Sequence, residues 1–258
     1  MQSRYYDYNT CKFINADDPS ILLADPFNVQ CVHIYDYCEN SPVINIDPTG
    51  YKMVLVGSKS DRQTILSQLK VLTGAGITLK MNSKGVVSYS VGVNKYKNSD
   101  KLIKRIINSK YMCTIRIQTK RGNDTTINNR YMATSLGSSA TVWFNPNFKA
   151  KPQTINPKNG VVSQIDRPTY IGLAHELIHA DRSMRGASIS YDKYASYSYV
   201  IGYSVKFGWF RRTISPIYKT QYVLKEELAT VGLKYNKSND ITENQIRKEH
   251  GLWLRGAY

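Results

Sequence analysis

The 258-residue sequence predicts an α+β fold: a twisted sheet with interleaved helices, then a long helix carrying a His-Glu-x-x-His run, then a helical C-terminal half. Three observations predict it. Short alternating or apolar runs between Met53 and Phe144 are separated by stretches with apolar residues at helical spacing. Residues 168–186 hold a sustained helical period around Ala174-His175-Glu176-Leu177-Ile178-His179. Beyond residue 220, KEELATVG and TENQIRKEHG both carry helix signals.

In chain order, Met53 to Val56 reads as a short apolar strand. Asp61 to Leu72 reads as an amphipathic helix with Ile65, Leu66, Leu69 and Leu72 on one side. Two alternating strands, Ile77 to Met81 and Val86 to Val91, flank the turn Asn82-Ser83-Lys84-Gly85. Asp100 to Asn108 is a second helix and Tyr111 to Thr119 a third strand. Gly122 to Thr126 reads as a polar loop, followed by the strand Ala140 to Phe144, whose Thr141–Phe144 portion is placed as an edge over the cleft, able to pair with an extended peptide or serve as core. Pro152 to Arg167 and the tyrosine-rich Ser188 to Lys206 (Tyr191, Tyr194, Tyr197, Tyr199, Tyr203) carry few periodic signals.

The chemistry concentrates on the next helix. Asp166 and Pro168 supply a start signal and Gly186 a stop. Tyr170, Leu173, Ala174, Leu177 and Ile178 form the buried stripe, leaving Gly172, His175, Glu176 and His179 toward a cleft. Gly172 lets a neighbouring backbone or substrate approach closely. Two imidazoles one turn apart share a face, as a tetrahedral zinc ion requires, and Glu176 stands beside the position left for water. The predicted cofactor is therefore Zn2+, with His175 and His179 as ligands and Glu176 as general base.

A third ligand is expected from the acidic pair in KEELATVG. Glu226 is favoured, because Thr230 lies four residues on and can hydrogen-bond a ligand; Glu227 is the alternative. A developing oxyanion needs a further donor, for which Tyr258, His250, Arg255 and Tyr222 are candidates, Tyr258 being placed among the catalytic residues. Thr242 with Gln245 makes a capping box, and His250 beside Gly251 reads as a cap of the same helix. Arg247 and Glu249 serve either to lock the C-terminus or to touch substrate.

The ELATVG arrangement resembles the ligand helix of gluzincin peptidases. HELIHA, EELATVG and TENQIRKEHG with late Arg255 and Tyr258 together resemble the NleD-type family of bacterial effector metallopeptidases, over about the last hundred residues. The resemblance implies a zincin-like fold and a zinc-dependent endopeptidase acting inside a target cell. It also implies His175, His179 and a Glu of the pair as ligands, with Glu176 as base.

Residues 1–50 carry Gln2-Ser3-Arg4-Tyr5-Tyr6-Asp7, KFINADD and YDYCENSPVINIDPTG. They resemble the Rhs repeat-associated core that precedes the toxic domain of polymorphic toxins. The family's YDPxxGRF stands here as Tyr6 to Phe13 without the proline or glycine, while Asp47-Pro48-Thr49-Gly50 keeps the second half of the pattern. The resemblance implies two parts, an Rhs-core extension at 1–51 and a metallopeptidase toxin domain at 52–258. It also implies as partners an Rhs shell, a protein substrate in the target cell and a cognate immunity protein.

Charge divides at the same boundary. Residues 1–51 hold two basic and seven acidic residues, a balance of −5, against 33 and 12, or +21, in the remainder. Such a field favours anionic partners. It makes a nucleic-acid-directed toxin the alternative reading, although no nuclease constellation is present and no stable nucleic-acid complex is expected. Cys11, Cys31, Cys38 and Cys113 form no CxxC pair and read as reduced core thiols; His33 reads as structural. No run is apolar enough to span a membrane, and the N-terminus lacks a signal segment, so delivery is expected through a secretion machine or a longer toxin.

Overall fold

The computed structural model describes residues 6–7, 12–13, 53–92, 96–127, 136–207 and 211–257. Most of residues 1–51, expected to be an Rhs-core extension, lies outside the described residues, His33 and three of the cysteines included. Within this segment β1 (Tyr6–Asp7) pairs antiparallel with β2 (Lys12–Phe13).

The main sheet is built from β3 (Met53–Val56), β4 (Ile77–Met81), β5 (Val86–Val91), β6 (Cys113–Ile117), β7 (Asp124–Ile127) and β8 (Ala140–Phe144), in the order β4-β5-β3-β6-β8-β7. The central strands β3, β6 and β8 run parallel; β4, β5 and β7 complete the sheet through antiparallel pairings. Every second side chain enters the core: Met53 and Leu55, Ile77 and Leu79, Cys113 and Ile115, and Ala140, Val142 and Phe144. Burial pushes the Cys113 thiol up to about 12, which leaves it an inert core group.

Helices α1 (Lys59–Thr73), α2 (Lys97–Ile107) and α3 (Thr169–Met184) pack against this sheet and one another. The expected apolar face of α1 is buried, and a capping box between Ser58 and Asp61 starts the helix. Helix α3 carries no side-chain cap: it starts after Pro168, and Asp166 instead pairs with Lys151 at 3.4 Å. It ends where expected, with Gly186 at φ 64°. Because β7, β8, α1 and α2 pack on it from several sides, Ile171 to Met184 is buried all round rather than along one stripe.

Two expectations about layout change. The strand Ala140–Phe144 is paired on both sides, and the edge beside it is β7, formed from what reads in sequence as a polar loop. The C-terminal half is not predominantly helical. It opens with a long antiparallel hairpin, β11 (Tyr194–Phe207) and β12 (Arg212–Leu224), followed by short helices α4 (Lys225–Val231) and α5 (Glu243–Glu249). A small sheet of β9 (Gln153–Ile155), β10 (Val162–Gln164) and β13 (Leu254–Arg255), in the order β10-β9-β13, fills the segment without periodic signal and ties down the C-terminus.

Candidate metal centre

One buried helix supplies half of the site and two short helices supply the rest. On α3 the i, i+4 spacing puts His175 and His179 on one face, with their Nε2 atoms 3.3 Å apart. Glu227 of α4 brings its Oε2 to 3.1 Å from His175 Nε2 and 3.3 Å from His179 Nε2. Among the described residues, these three form the cluster of His, Cys, Asp or Glu whose ligand atoms lie within 4.8 Å of one another.

The triangle fits a small tetrahedral ion, since ligands about 2.0 Å from zinc stand roughly 3.3 Å from one another. The far side of each ring supports the same reading. His175 Nδ1 lies 2.8 Å from Glu243 Oε2 on α5, and His179 Nδ1 lies 3.3 Å from Thr230 Oγ1. With Nδ1–H donated outward, as to Glu243, both Nε2 lone pairs and a carboxylate oxygen converge on one point, an arrangement that calls for a cation.

Glu226, the favoured third ligand in the sequence reading, turns the other way. It accepts Arg182 Nε at 2.8 Å, Arg182 Nη2 at 3.1 Å and the Ile189 amide at 2.6 Å, and its Oε1 stands 3.5 Å from His179 Nδ1. The reason is the phase of α4. Thr230 does meet a histidine, but Glu227 shares its side of the helix at i, i+3 as well as Glu226 does at i, i+4, and the fold presents the former to the histidines. Arg182, buried on α3, also reaches Asp240, which accepts Arg185 Nη2 at 3.0 Å.

Burial alone disfavours every charge here, yet the pairings outweigh it. Hydrogen bonds donated to the Glu227 and Glu243 carboxylates hold the His175 imidazole's pKa above its ordinary range, and that of His179 is raised further by Glu227 and Glu226. Against the same burial, His179 and His175 hold Glu227 well below the usual carboxylate range; Arg255, His175 and Arg247 do so for Glu243.

Glu176 is 7% exposed, and Thr125 of β7 lies 2.8 Å from its Oε2 and 3.0 Å from its carbonyl oxygen. The edge strand thus fixes the carboxylate next to the histidines. Beside it, Gly172 leaves room for the Asn123 amide and Arg167 guanidinium, which a Cβ would meet at 2.6 and 3.1 Å. The close approach is by side chains rather than by backbone.

The expected oxyanion donors lie elsewhere or serve other ends. His250 Nε2 is 3.0 Å from Leu72 O, and the ring stacks on Tyr96, which fastens α5 to the sheet half. Arg255 donates to Glu243 at 3.0 Å and to Ala257 O at 2.8 Å. Tyr222 is 73% exposed and stacks on Tyr194; Tyr258 lies outside the described residues. Glu249 bonds the Asn98 amide at 2.5 Å and the Ser99 amide at 3.1 Å, a locking contact, while Arg247 donates to Glu243 at 2.6 Å and to Trp253 O.

Sequence reasoning did not single out Glu243, Thr125 or Arg182. It left Tyr191 between packing and substrate contact; here burial and the charges of Glu226, Glu227, Glu176 and Asp124 raise its phenol, which stays protonated. TENQIRKEHG held the signal for Glu243, where the capping-box reading accounted for a first-turn acid without need of a further role.

The sequence profile of the family Peptidase_M91, described as effector protein, matches residues 44–258. The chain belongs to this Peptidase_M91 effector family. No curated protein sequence matches it. Two solved structures are similar at low identity. The light chain of botulinum neurotoxin type C, in its apo, zinc-removed form, is 17% identical, with 59% of this chain and 31% of that one covered and a TM-score of 0.30. The light chain of botulinum neurotoxin serotype HA is 14% identical, with 73% and 44% covered and a TM-score of 0.26. The M91 chain spans less than half the length of either light chain, and likeness of this depth decides nothing about its fold. Among the described residues, no helix is long and apolar enough to cross a membrane.

Proposed function

We propose that this M91 chain is a zinc-dependent endopeptidase whose toxic domain, residues 52–258, is delivered into a target cell and cleaves a protein there. The observation that carries the reading is the near-equilateral triangle of His175 Nε2, His179 Nε2 and Glu227 Oε2, with sides of 3.1 to 3.3 Å, beside Glu176. Zinc held by these three residues would supply a Lewis acid that acidifies water and polarises a peptide carbonyl.

The chain's own groups do the remaining work. Glu176, steadied by Thr125, takes a proton from the attacking water at its carboxylate and returns it to the leaving amine. Glu243 holds the His175 ring, with Arg247 and Arg255 keeping the buried carboxylate ionised. β7 offers the sheet edge along which an extended substrate can pair, the role expected of Thr141–Phe144.

The test is zinc content together with proteolysis of a target-cell lysate by wild type and by Glu176→Gln, with labelling of new N-termini. Stoichiometric zinc in both proteins, with cleavage only by wild type, is the expected result. Zinc binding with no new N-termini, or equal cleavage by both, would overturn the reading.

A further inference from the structure

The longest exposed feature of the fold takes no part in the metal centre. Strands β11 and β12 pair only with each other among the described residues, in register from Tyr194↔Leu224 to Phe207↔Arg212, with one irregularity between Val200 and Gly202. Thirteen residues at ~3.4 Å each make a ribbon roughly 44 Å long. The alternation of β12 is unbroken, so Ile214, Tyr218 and Tyr222 share one face, and the register sets Val205 and Phe207 on it as well. Most of that face is open, with Phe207 83%, Tyr222 73%, Tyr218 61% and Ile214 56% exposed, while Tyr203 on it donates to Gly160 O at 3.1 Å. The opposite face of the distal half carries Ser204, Lys206, Thr213 and Ser215. Polarity also changes lengthwise, from tyrosine, serine and threonine near the body to Val205, Phe207 and Ile214 toward the far end.

The charge pattern is one-sided. From Lys193 to Lys225 the sequence has six basic residues and no acidic one. Three of the six, Lys206, Arg211 and Arg212, sit toward the distal end beside Phe207, the most exposed large apolar side chain among the described residues.

We propose that this ribbon docks the protein on an anionic lipid bilayer. Phe207, Val205 and Ile214 enter the boundary between headgroups and acyl chains, the tyrosines stand at headgroup level, and Lys206, Arg211 and Arg212 face lipid phosphates. Rings with a polar handle favour that boundary, and each cation near an acidic surface adds about fivefold in affinity. A two-stranded ribbon exposing this much apolar surface is poorly suited to water alone. A bilayer covers both faces of the distal half together, whereas a protein groove covers one face. The proposal uses none of the metal-centre residues and stands apart from the peptidase reading.

Co-sedimentation of the full chain with phosphatidylcholine vesicles, with and without about a third phosphatidylserine, tests it. Anionic vesicles are expected to bind the chain at least about tenfold more tightly, with loss at high salt. The net charge of +16 alone draws the chain to such vesicles, so two variants decide the matter. Phe207→Ser with Ile214→Ser keeps every charge and is expected to lower binding about tenfold or more at an unchanged melting temperature. Lys97→Glu with Lys101→Glu, on α2, is expected to lower it much less. Wild-type binding by the first variant, or an equal loss in the second, would overturn the proposal. So would absence of binding to the anionic vesicles.

Discussion

Thr230 and Glu227, three residues apart on α4, both meet the ring of His179: the threonine hydroxyl lies 3.3 Å from Nδ1, and a glutamate oxygen lies 3.3 Å from Nε2. One short helix therefore orients the imidazole from behind and completes the ligand set in front. Its neighbour Glu226 is committed to Arg182, so adjacent carboxylates have separable roles. Glu227→Gln is expected to lose stoichiometric zinc while melting close to the metal-free wild type. Glu226→Gln removes one of the two carboxylates that hold the buried Arg182 guanidinium, Asp240 remaining, and is expected to cost about 1–3 kcal/mol of stability. Zinc analysis and thermal melts of the two metal-free variants separate these outcomes, and an interchange of the two phenotypes would refute the assignment.

Glu243 acts through His175 rather than on substrate. Its Oε2 receives both His175 Nδ1 and Arg255 Nη1, at 2.8 and 3.0 Å. Glu243→Gln removes the charge that raises the ligand's basicity and is expected to weaken zinc affinity about 10–100-fold. Competition with a chromogenic chelator measures this directly. An unchanged affinity would mean that Glu243 only fastens Arg247 and Arg255.

The sequence disclosed what depends on local spacing. The i, i+4 histidines and the intervening glutamate need only a helix to become a half-site, and the apolar residues of α1, β3, β4, β5 and β8 alternate or recur clearly enough to place those elements. What stayed hidden depends on contacts far apart in the chain. The choice between Glu226 and Glu227, about 100° apart around α4, depends on which side of that helix the fold turns to the histidines, with Arg182 holding the other carboxylate aside. The hairpin escaped notice because its tyrosines occur at mixed spacing and both strands are largely exposed, so the alternation of half-buried and exposed positions along β11 has no matching apolar–polar alternation in the sequence. Glu243 resembles an ordinary first-turn acid until the fold lays it under His175 and two arginines.

Thr125 gives the edge strand a role in catalysis that can be isolated from metal binding. Its hydroxyl reaches Glu176 and touches no ligand in the described contacts. Thr125→Val preserves shape and removes that contact, and is expected to lower kcat about 10–100-fold with zinc content unchanged. Loss of zinc along with activity would instead place β7 in support of the ligands.

Asp100 makes the pH dependence of stability testable at a distance from the metal. Both its carboxylate oxygens are buried without a partner in the first turn of α2, against Gly76, where a Cβ would meet Oδ2 at 1.8 Å. Burial lifts this carboxyl to about 6 from its usual 3.8; Lys104 opposes the shift and Glu249 adds to it. The folded state therefore holds the proton more tightly than the unfolded chain does. Between pH ~4 and ~6 the native protein binds more protons, so stability falls as pH rises through that window and levels off above it. At about 1.4 kcal/mol per unit, a rise of about two units corresponds to roughly 2–3 kcal/mol. Asp100→Asn keeps the shape without the charge: it is expected to be more stable than wild type by that order at pH 7.5 and nearly equal to it at pH 4. Denaturant melts of both proteins at the two pH values decide the point, and a stability difference that does not change with pH would show that Asp100 is not the group responsible.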